Sequence, residues 1–298
     1  MKNLRLIESG DGTRWAIERE YLVPIARNPE TFKSLILDSS IISDFAIVIP
    51  PVEKRKLKGK LILRYIAHGE KKTYSMGKGR NMIPARTESC SSRSFWYSLP
   101  NVPKAKVLWQ RASDIRIRHY LSEMPVLARE RFYPILPHRD ISPAYIAGFL
   151  NSAFVAIWLE VQRAAMGEGA IEATVEEVKH LPIIDPRSLP PKVVQEVEAA
   201  VMALGARETG TIFEEYGADT PEKVSWETLR SDRKRLEEVV LGQVLGLTAD
   251  DQLALIQSLV DLTRNRVDRA GSVEQPSEAE RAAMQEYIKS ITGEVVVE

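Results

Sequence analysis

The stretch Tyr145–Asp185, YIAGFLNSAFVAIWLEVQRAAMGEGAIEATVEEVKHLPIID, most constrains what this chain can become. Ile146, Phe149, Leu150, Ala153, Phe154, Ile157, Trp158 and Val161 recur every three or four residues, so they share one face of a helix of about 20 residues. Pro143 suits the first turn of that helix and Ser142 its N-cap. Gly167 and Gly169 end it, because glycine takes the left-handed conformation that other residues resist. Ala170–Ala173 reads as a short strand, and Thr174-Val-Glu-Glu177 has the form of a capping box. An apolar helical stripe is first of all packing, so this segment builds a core and does no chemistry itself.

The order of these features resembles a known family. Leu150-Asn151-Ser152 on the helix, the GEG turn, a strand and then Glu177-Val-Lys-His-Leu-Pro-Ile183 are similar to the C-terminal target-recognition region of adenine-N6 DNA methyltransferases, in the TaqI-like, type IIG and type I-like restriction–modification enzymes. The resemblance runs from about Phe32 to the helical tail. It implies an α+β fold: a mixed recognition domain with a small sheet and a long buried helix over residues 1–186, followed by an all-helical region over 187–298. It also implies double-stranded DNA as a partner and a catalytic methyltransferase subunit or domain that binds S-adenosylmethionine. The helical region would dock on that partner, and this chain would be a specificity subunit or part of a longer enzyme.

Charge supports a polyanionic partner. The formal net charge is zero, yet residues 1–140 hold 26 Lys+Arg against 14 Asp+Glu, a net of +12, and the remainder holds 15 against 27, a net of −12. At 298 residues, 44% of them hydrophobic and 28% charged, the chain can bury one large core or two smaller ones. Asn151, Ser152 and Glu160 interrupt its most apolar stretch, so a membrane span is not expected. MKNLRLIESGDG has no secretory h-region, and a single cysteine, Cys90, excludes an intrachain disulfide, which together suit the cytoplasm.

Two stretches carry the candidate DNA contacts. Lys54–His68 reads as a helix with Leu57, Leu61, Tyr65, Ile62 and Ile66 inward and Lys54, Arg55, Lys56, Lys58, Lys60 and Arg64 outward. Such a face is either merely solvated or a phosphate-binding surface. Gly69–Arg93 reads as a long, apolar-poor loop, and loops of that length are functional or mobile. Within it Lys71, Lys72, Tyr74, Lys78, Arg80, Asn81, Arg86 and Arg93 are the residue types that reading a duplex requires. Arginine can bind guanine O6 and N7, asparagine can read adenine, and lysine neutralises phosphate.

Ile42–Ile49 reads as a strand stopped by Pro50-Pro51, and Phe95–Leu99 and Lys106–Trp109 as two strands joined by a proline turn. Arg111–His119 alternates, which would set Arg116 and Arg118 on one face of a strand, solvated or facing DNA. Val126–Leu136 reads as one more strand. Amphipathic helices are expected near 190–206, 221–246, 249–270 and 277–291, with Thr248 capping the third.

Catalytic signatures are missing. Adenine-N6 transfer needs a glycine-rich loop for S-adenosylmethionine and an Asn/Asp/Ser-Pro-Pro-aromatic tetrapeptide for the flipped base. The nearest match, Ile49-Pro-Pro-Val52, has neither polar acceptor nor aromatic. His68, His119, His138 and His180 are scattered without metal-site spacing, so no metal is expected. The chain is therefore expected to recognise DNA for a methyltransferase without being a catalyst alone. Alternatives are a DNA-binding protein unrelated to methylation and a helical protein-interaction scaffold.

Overall fold

The computed structural model describes residues 3–75, 81–99, 102–162 and 169–272. The chain starts as a hairpin, β1 (Leu4–Glu8) against β2 (Arg14–Glu18), with Gly12 at φ +77° in its turn. There follow β3 (Leu22–Ala26), β4 (Ile36–Leu37), β5 (Phe45–Ile47), α1 (Ile62–Lys71), the small pair β6 (Tyr74–Ser75) and β7 (Asn81–Met82), and α2 (Glu88–Ser91). Then come β8 (Lys104–Gln110), β9 (Ala112–Ser113), β10 (His119–Ala128) and β11 (Phe132–Ile135). Six strands make one mixed sheet in the order β11-β8-β10-β3-β5, with β4 also on β10. β10 runs antiparallel to β8 but parallel to β3 and β4. Its register against β8 shifts between Leu121 and Val126, where Pro125 has no N–H for the ladder.

Alternation along the central strands divides the core. Val107, Trp109 and Leu121 turn toward the helices, while Leu108 and Tyr120 join Phe32 and Phe132 on the other face. The helical layer consists of α3 (Pro143–Leu150), α4 (Ala153–Gln162), α5 (Val175–Lys179), α6 (Pro191–Leu204), α7 (Ile212–Tyr216), α8 (Ser231–Glu237) and α9 (Ala249–Ser272), with β12 (Ile171–Glu172) paired to β9. α8 runs directly into a π-helical turn, Glu238–Val244. The fold is α+β. Val197 and Val201 of α6, Leu236 of α8 and Ile256 and Leu259 of α9 pack in one cluster with α3, α4 and the sheet.

The long helix expected over Tyr145–Val161 is two helices, α3 and α4, meeting at 57°. Polar groups from elsewhere in the chain occupy the break. The Asn151 amide donates to the His119 and Ala147 carbonyls at 2.7 and 2.8 Å, and its oxygen accepts the His119 N–H at 3.1 Å. Glu237 accepts the Ala153 N–H, an orphan donor at the start of α4, at 2.9 Å. Arg266, 1% exposed, ties α9 to α4 through Glu160, at 2.7 Å, and reaches the carbonyls of Gly169 and Asp114.

Local signals hold: Ser142 caps α3, the Thr174–Glu177 capping box is formed, Gly169 has φ +75°, and Thr248 accepts the Asp251 N–H. Other readings change. Only Phe45–Ile47 of Ile42–Ile49 is a strand, and Lys54–His68 splits into a 3-10 turn, Lys54–Leu57, and α1. Phe95–Leu99 is no strand; Ser98 makes a single bridge to Ile49, and its hydroxyl bonds the Phe95 carbonyl instead of extending. Val126–Leu136 covers the end of β10, a turn and β11. The expected helix 221–246 is a 3-10 turn at Pro221–Lys223 followed by α8 and the π turn. The expected helix 277–291, with Gly167, lies outside the described residues.

α3 lies close on α6 because Gly148 has no side chain. A Cβ there would stand 2.6 Å from Val197 Cγ1 and 3.1 Å from the Val197 carbonyl oxygen. Gly148→Ala is expected to destabilise the fold by about 1–3 kcal/mol, read from urea unfolding, as overpacking of a close approach does. An unchanged midpoint would show that the two helices can separate at no cost.

Candidate nucleic-acid interface

The basic stretch sits on a small apolar cluster of its own, made of Ile17, Tyr21, Leu22, Ile49, Leu57, Ile62, Ile66 and Tyr97. Burying Leu57, Ile62 and Ile66 turns the intervening lysines outward. Glu18, itself buried, accepts the Leu61 and Ile62 N–H groups and so fixes the start of α1.

The sequence-predicted contacts do not share one state. Lys54 is ion-paired with Glu70, Arg55 with Glu53, and Lys60 with Glu20 at 2.7 Å. Burial would raise the Glu70 carboxyl, but Lys54 and the Trp96 indole outweigh it and hold it below its ordinary value. Lys56, Lys58, Lys71 and Lys72 are exposed, and their side chains make no hydrogen bond or ion pair to another described residue. They stand on the 3-10 turn and on the last turn of α1, two segments that the Lys54–Glu70 pair holds side by side. With Arg64, exposed on α1 and likewise without a side-chain partner among the described residues, these four lysines give the lobe a free cationic surface.

Gly69–Arg93 is more ordered than a loop. α1 continues through Gly69 to Lys71, and a Cβ on Gly69 would run into the Trp96 ring; this glycine serves a close approach and does not end a helix. Tyr74 is engaged: its hydroxyl donates to Asp11 at 2.9 Å and lies 3.2 Å from His68 Nε2, clipping β6 to the tip of the β1–β2 hairpin. Asn81 and Arg86 are exposed, Arg93 donates to the Ser98 carbonyl at 3.0 Å, and Lys78 and Arg80 lie outside the described residues. Arg116 and Arg118 are not neighbours on a strand face, since residues 114–118 are irregular between β9 and β10. Arg116 is exposed near Glu214, whereas Arg118 is half-buried, donates to the Phe32 carbonyl at 2.9 Å and lies 5.9 Å from the Tyr120 ring centre.

Beside this surface a cleft of about 680 Å³ opens between β1, β5 and the Arg93–Leu99 segment. Arg5, Arg27, Arg93 and Arg129 line it, with Phe45 and Trp96. Sequence reasoning missed Arg5, Arg27 and Arg129, each isolated in its own local context and gathered only by the tertiary fold.

No chemistry of methyl transfer is built at Ile49–Val52. Ile49 is buried and bridged to Ser98, and the Val52 carbonyl accepts the Tyr97 hydroxyl at 2.6 Å, so the turn is tied down on both sides, and its two exposed prolines offer no polar side chain for a base. These residues do not fit a site for S-adenosylmethionine chemistry. Among the described residues no group of three His, Cys, Asp or Glu is placed to hold a metal ion, and no single helix is long and apolar enough to cross a membrane.

The fold of this chain has a counterpart among solved structures. The fold resembles part of the type IIG restriction endonuclease BpuSI. The overlap has a TM-score of 0.56 at 14% identity and covers 87% of this chain. It takes in parts of both the sheet and the helical region, because 87% of 298 residues exceeds either alone. The chain spans 27% of the length of BpuSI. A weaker overlap, TM-score 0.45 at 15% identity over 84% of this chain and 31% of the other, is found with the type IIL restriction–modification enzyme MmeI. No family model and no curated protein matches the sequence.

Proposed function

We propose that this chain recognises duplex DNA within a restriction–modification system, reading the target for an adenine-N6 methyltransferase whose S-adenosylmethionine-binding domain lies outside these residues. The observation that carries this reading is the fold likeness to BpuSI over most of the chain. The exposed Lys56, Lys58, Lys71 and Lys72, left without partners among the described residues, supply a surface suited to phosphates. Asn81, Arg86 and Arg116 are free to add contacts, while Lys54, Arg55 and Lys60 would have to exchange an exposed carboxylate for a phosphate, a small cost for surface pairs. Arg93, Arg118 and Tyr74 serve the fold in this reading. The outer faces of the helices beyond residue 186 are the part offered to a catalytic subunit or domain.

The test is binding of a labelled duplex across a salt series. Replacing Lys56, Lys58, Lys71 and Lys72 with Ala should weaken binding at least about tenfold near physiological salt and flatten the salt slope by about 0.9 for each phosphate no longer neutralised. An unchanged slope would remove these lysines from the interface. Absence of salt-dependent duplex binding in the wild type would end the reading itself.

A further inference from the structure

The cleft beside the lysines has a different chemistry from theirs. At about 680 Å³ it is the size of a small-ligand site, and a double helix, whose major groove alone is about 12 Å wide, does not enter it. Four arginines line it against two carboxylates, Glu8 and Asp44, and Glu8 is already turned to Arg14 at 3.2 Å. Arg27 is exposed and has no side-chain partner among the described residues, and Arg129 holds only the adjacent, exposed Glu130. Planar surfaces stand near these cations. The Arg5 guanidinium lies 4.0 Å from the Phe45 ring centre, and Trp96 is fixed by an indole N–H bond to Glu70 at 3.0 Å and by its seat on Gly69.

Guanidinium groups without internal partners attract phosphate, and aromatic or guanidinium planes attract the faces of bases. In a duplex those faces are covered by stacking; only an unpaired base offers them. We propose that this cleft takes an unpaired nucleotide of a nucleic-acid strand, with its phosphate on Arg27 and Arg129 and its base between the Arg5–Phe45 pair and Trp96. The assignment rests on the reading of the chain as a DNA-binding protein and adds to it a second, strand-selective contact. The same chemistry would accept a free mononucleotide, so the test separates the two sources.

The chain carries its own reporter, because its single cysteine, Cys90, lines the cleft. The full chain is treated with a fluorescent maleimide alone and with four probes: a fully paired duplex, the same duplex with one bulged nucleotide, dAMP and inorganic phosphate. The bulged duplex should slow Cys90 labelling at least about fivefold and the paired duplex should not. In parallel, Arg27→Ala, which removes one of the two guanidinium groups on the phosphate, should weaken binding of the bulged duplex about tenfold, as loss of a charged hydrogen bond does, and that of the paired duplex less than about twofold. Protection by dAMP as strong as that by the bulged duplex would support the site and identify a free nucleotide as sufficient. Protection by inorganic phosphate alone to the same degree would overturn it, since the aromatic half would then be idle. If paired duplex binds with the expected salt dependence but the bulged duplex neither protects Cys90 nor responds to Arg27→Ala, the cleft assignment fails and the duplex reading stands. If no duplex binds, it is the duplex reading that fails.

Discussion

Glu237→Ala is expected to be the most damaging single substitution in the helical layer, lowering stability by about 3–5 kcal/mol, the range for breaking a buried ion pair. Glu237 is wholly buried. It accepts the Ala153 N–H at 2.9 Å, the Tyr216 hydroxyl at 2.8 Å and, at 3.4 Å, the Arg233 guanidinium, which in turn donates to the Asn151 carbonyl at 2.6 Å. Truncation leaves two buried donors without acceptors and Arg233 with Glu215 as its remaining carboxylate. Glu237→Gln keeps one acceptor oxygen and should cost less. Burial pushes the Glu237 carboxyl above its ordinary value, with Arg233 opposing. A carboxyl raised on folding favours the native state most below its unfolded value of 4.5 and loses that contribution as pH rises through the folded value. The gap between wild type and Glu237→Gln should therefore narrow as pH rises above 4.5. Urea midpoints at pH 4 and pH 7 would check both statements, and an alanine variant within about 1 kcal/mol of wild type would sink the first.

The second large effect is a pH dependence centred on His119. Its ring is fully buried against Trp109, with ring centres 4.0 Å apart, and neither ring nitrogen has a hydrogen-bond partner among the described residues. Burial lowers its pKa from 6.5 to about 3. A group lowered on folding contributes stability above its unfolded pKa and loses it as pH falls to the folded value, so the loss falls between pH 6.5 and 3. Its size is about 4–5 kcal/mol at about 1.4 kcal/mol per pH unit. His119→Leu should be at least as stable as wild type near pH 7, because it removes two unsatisfied buried nitrogens, and should lack this part of the acid loss. Glu215, held at about 2 mainly by Arg207 and Arg233 against its burial, makes a further loss between pH 4.5 and 2 that both proteins share. Parallel stability curves for the two proteins from pH 7 to 4 would refute the assignment.

What could be read in advance divides by the distance between partners. The Thr174–Glu177 box, the Thr248 cap and the left-handed Gly169 need only neighbours within a few residues, and each was legible. The break between α3 and α4 was not, since the groups that satisfy it, His119 and Glu237, lie 32 and 84 residues away. Asn151 and Ser152 marked the place but could not reveal that a bend was stabilised there. Gly69 stood at the head of an expected loop, when it lies inside α1 and its missing side chain makes room for Trp96. At the interface, runs of lysine were visible in sequence, but pairing of Lys54 with Glu70 and Lys60 with Glu20 joins residues 16 and 40 apart. Of the cleft arginines only Arg93 stood in a stretch that signalled DNA; Arg5, Arg27 and Arg129 gave no local signal, lying on three separate segments.

The wide turn at Glu238–Val244 has a bearing on how this chain can change. Arg233 and Glu237 before it and Val240 and Val244 within it stand four, three and four residues apart and are all buried, the spacing that keeps one helical face turned to the core. A π-helical turn holds one residue more than the α-helical turn it replaces, so deleting one amino acid here would regularise the coil and leave what lies downstream near its present phase. A one-residue change of length, which elsewhere in a buried helix would turn its apolar face by about 100° out of the core, is thus absorbed at this point.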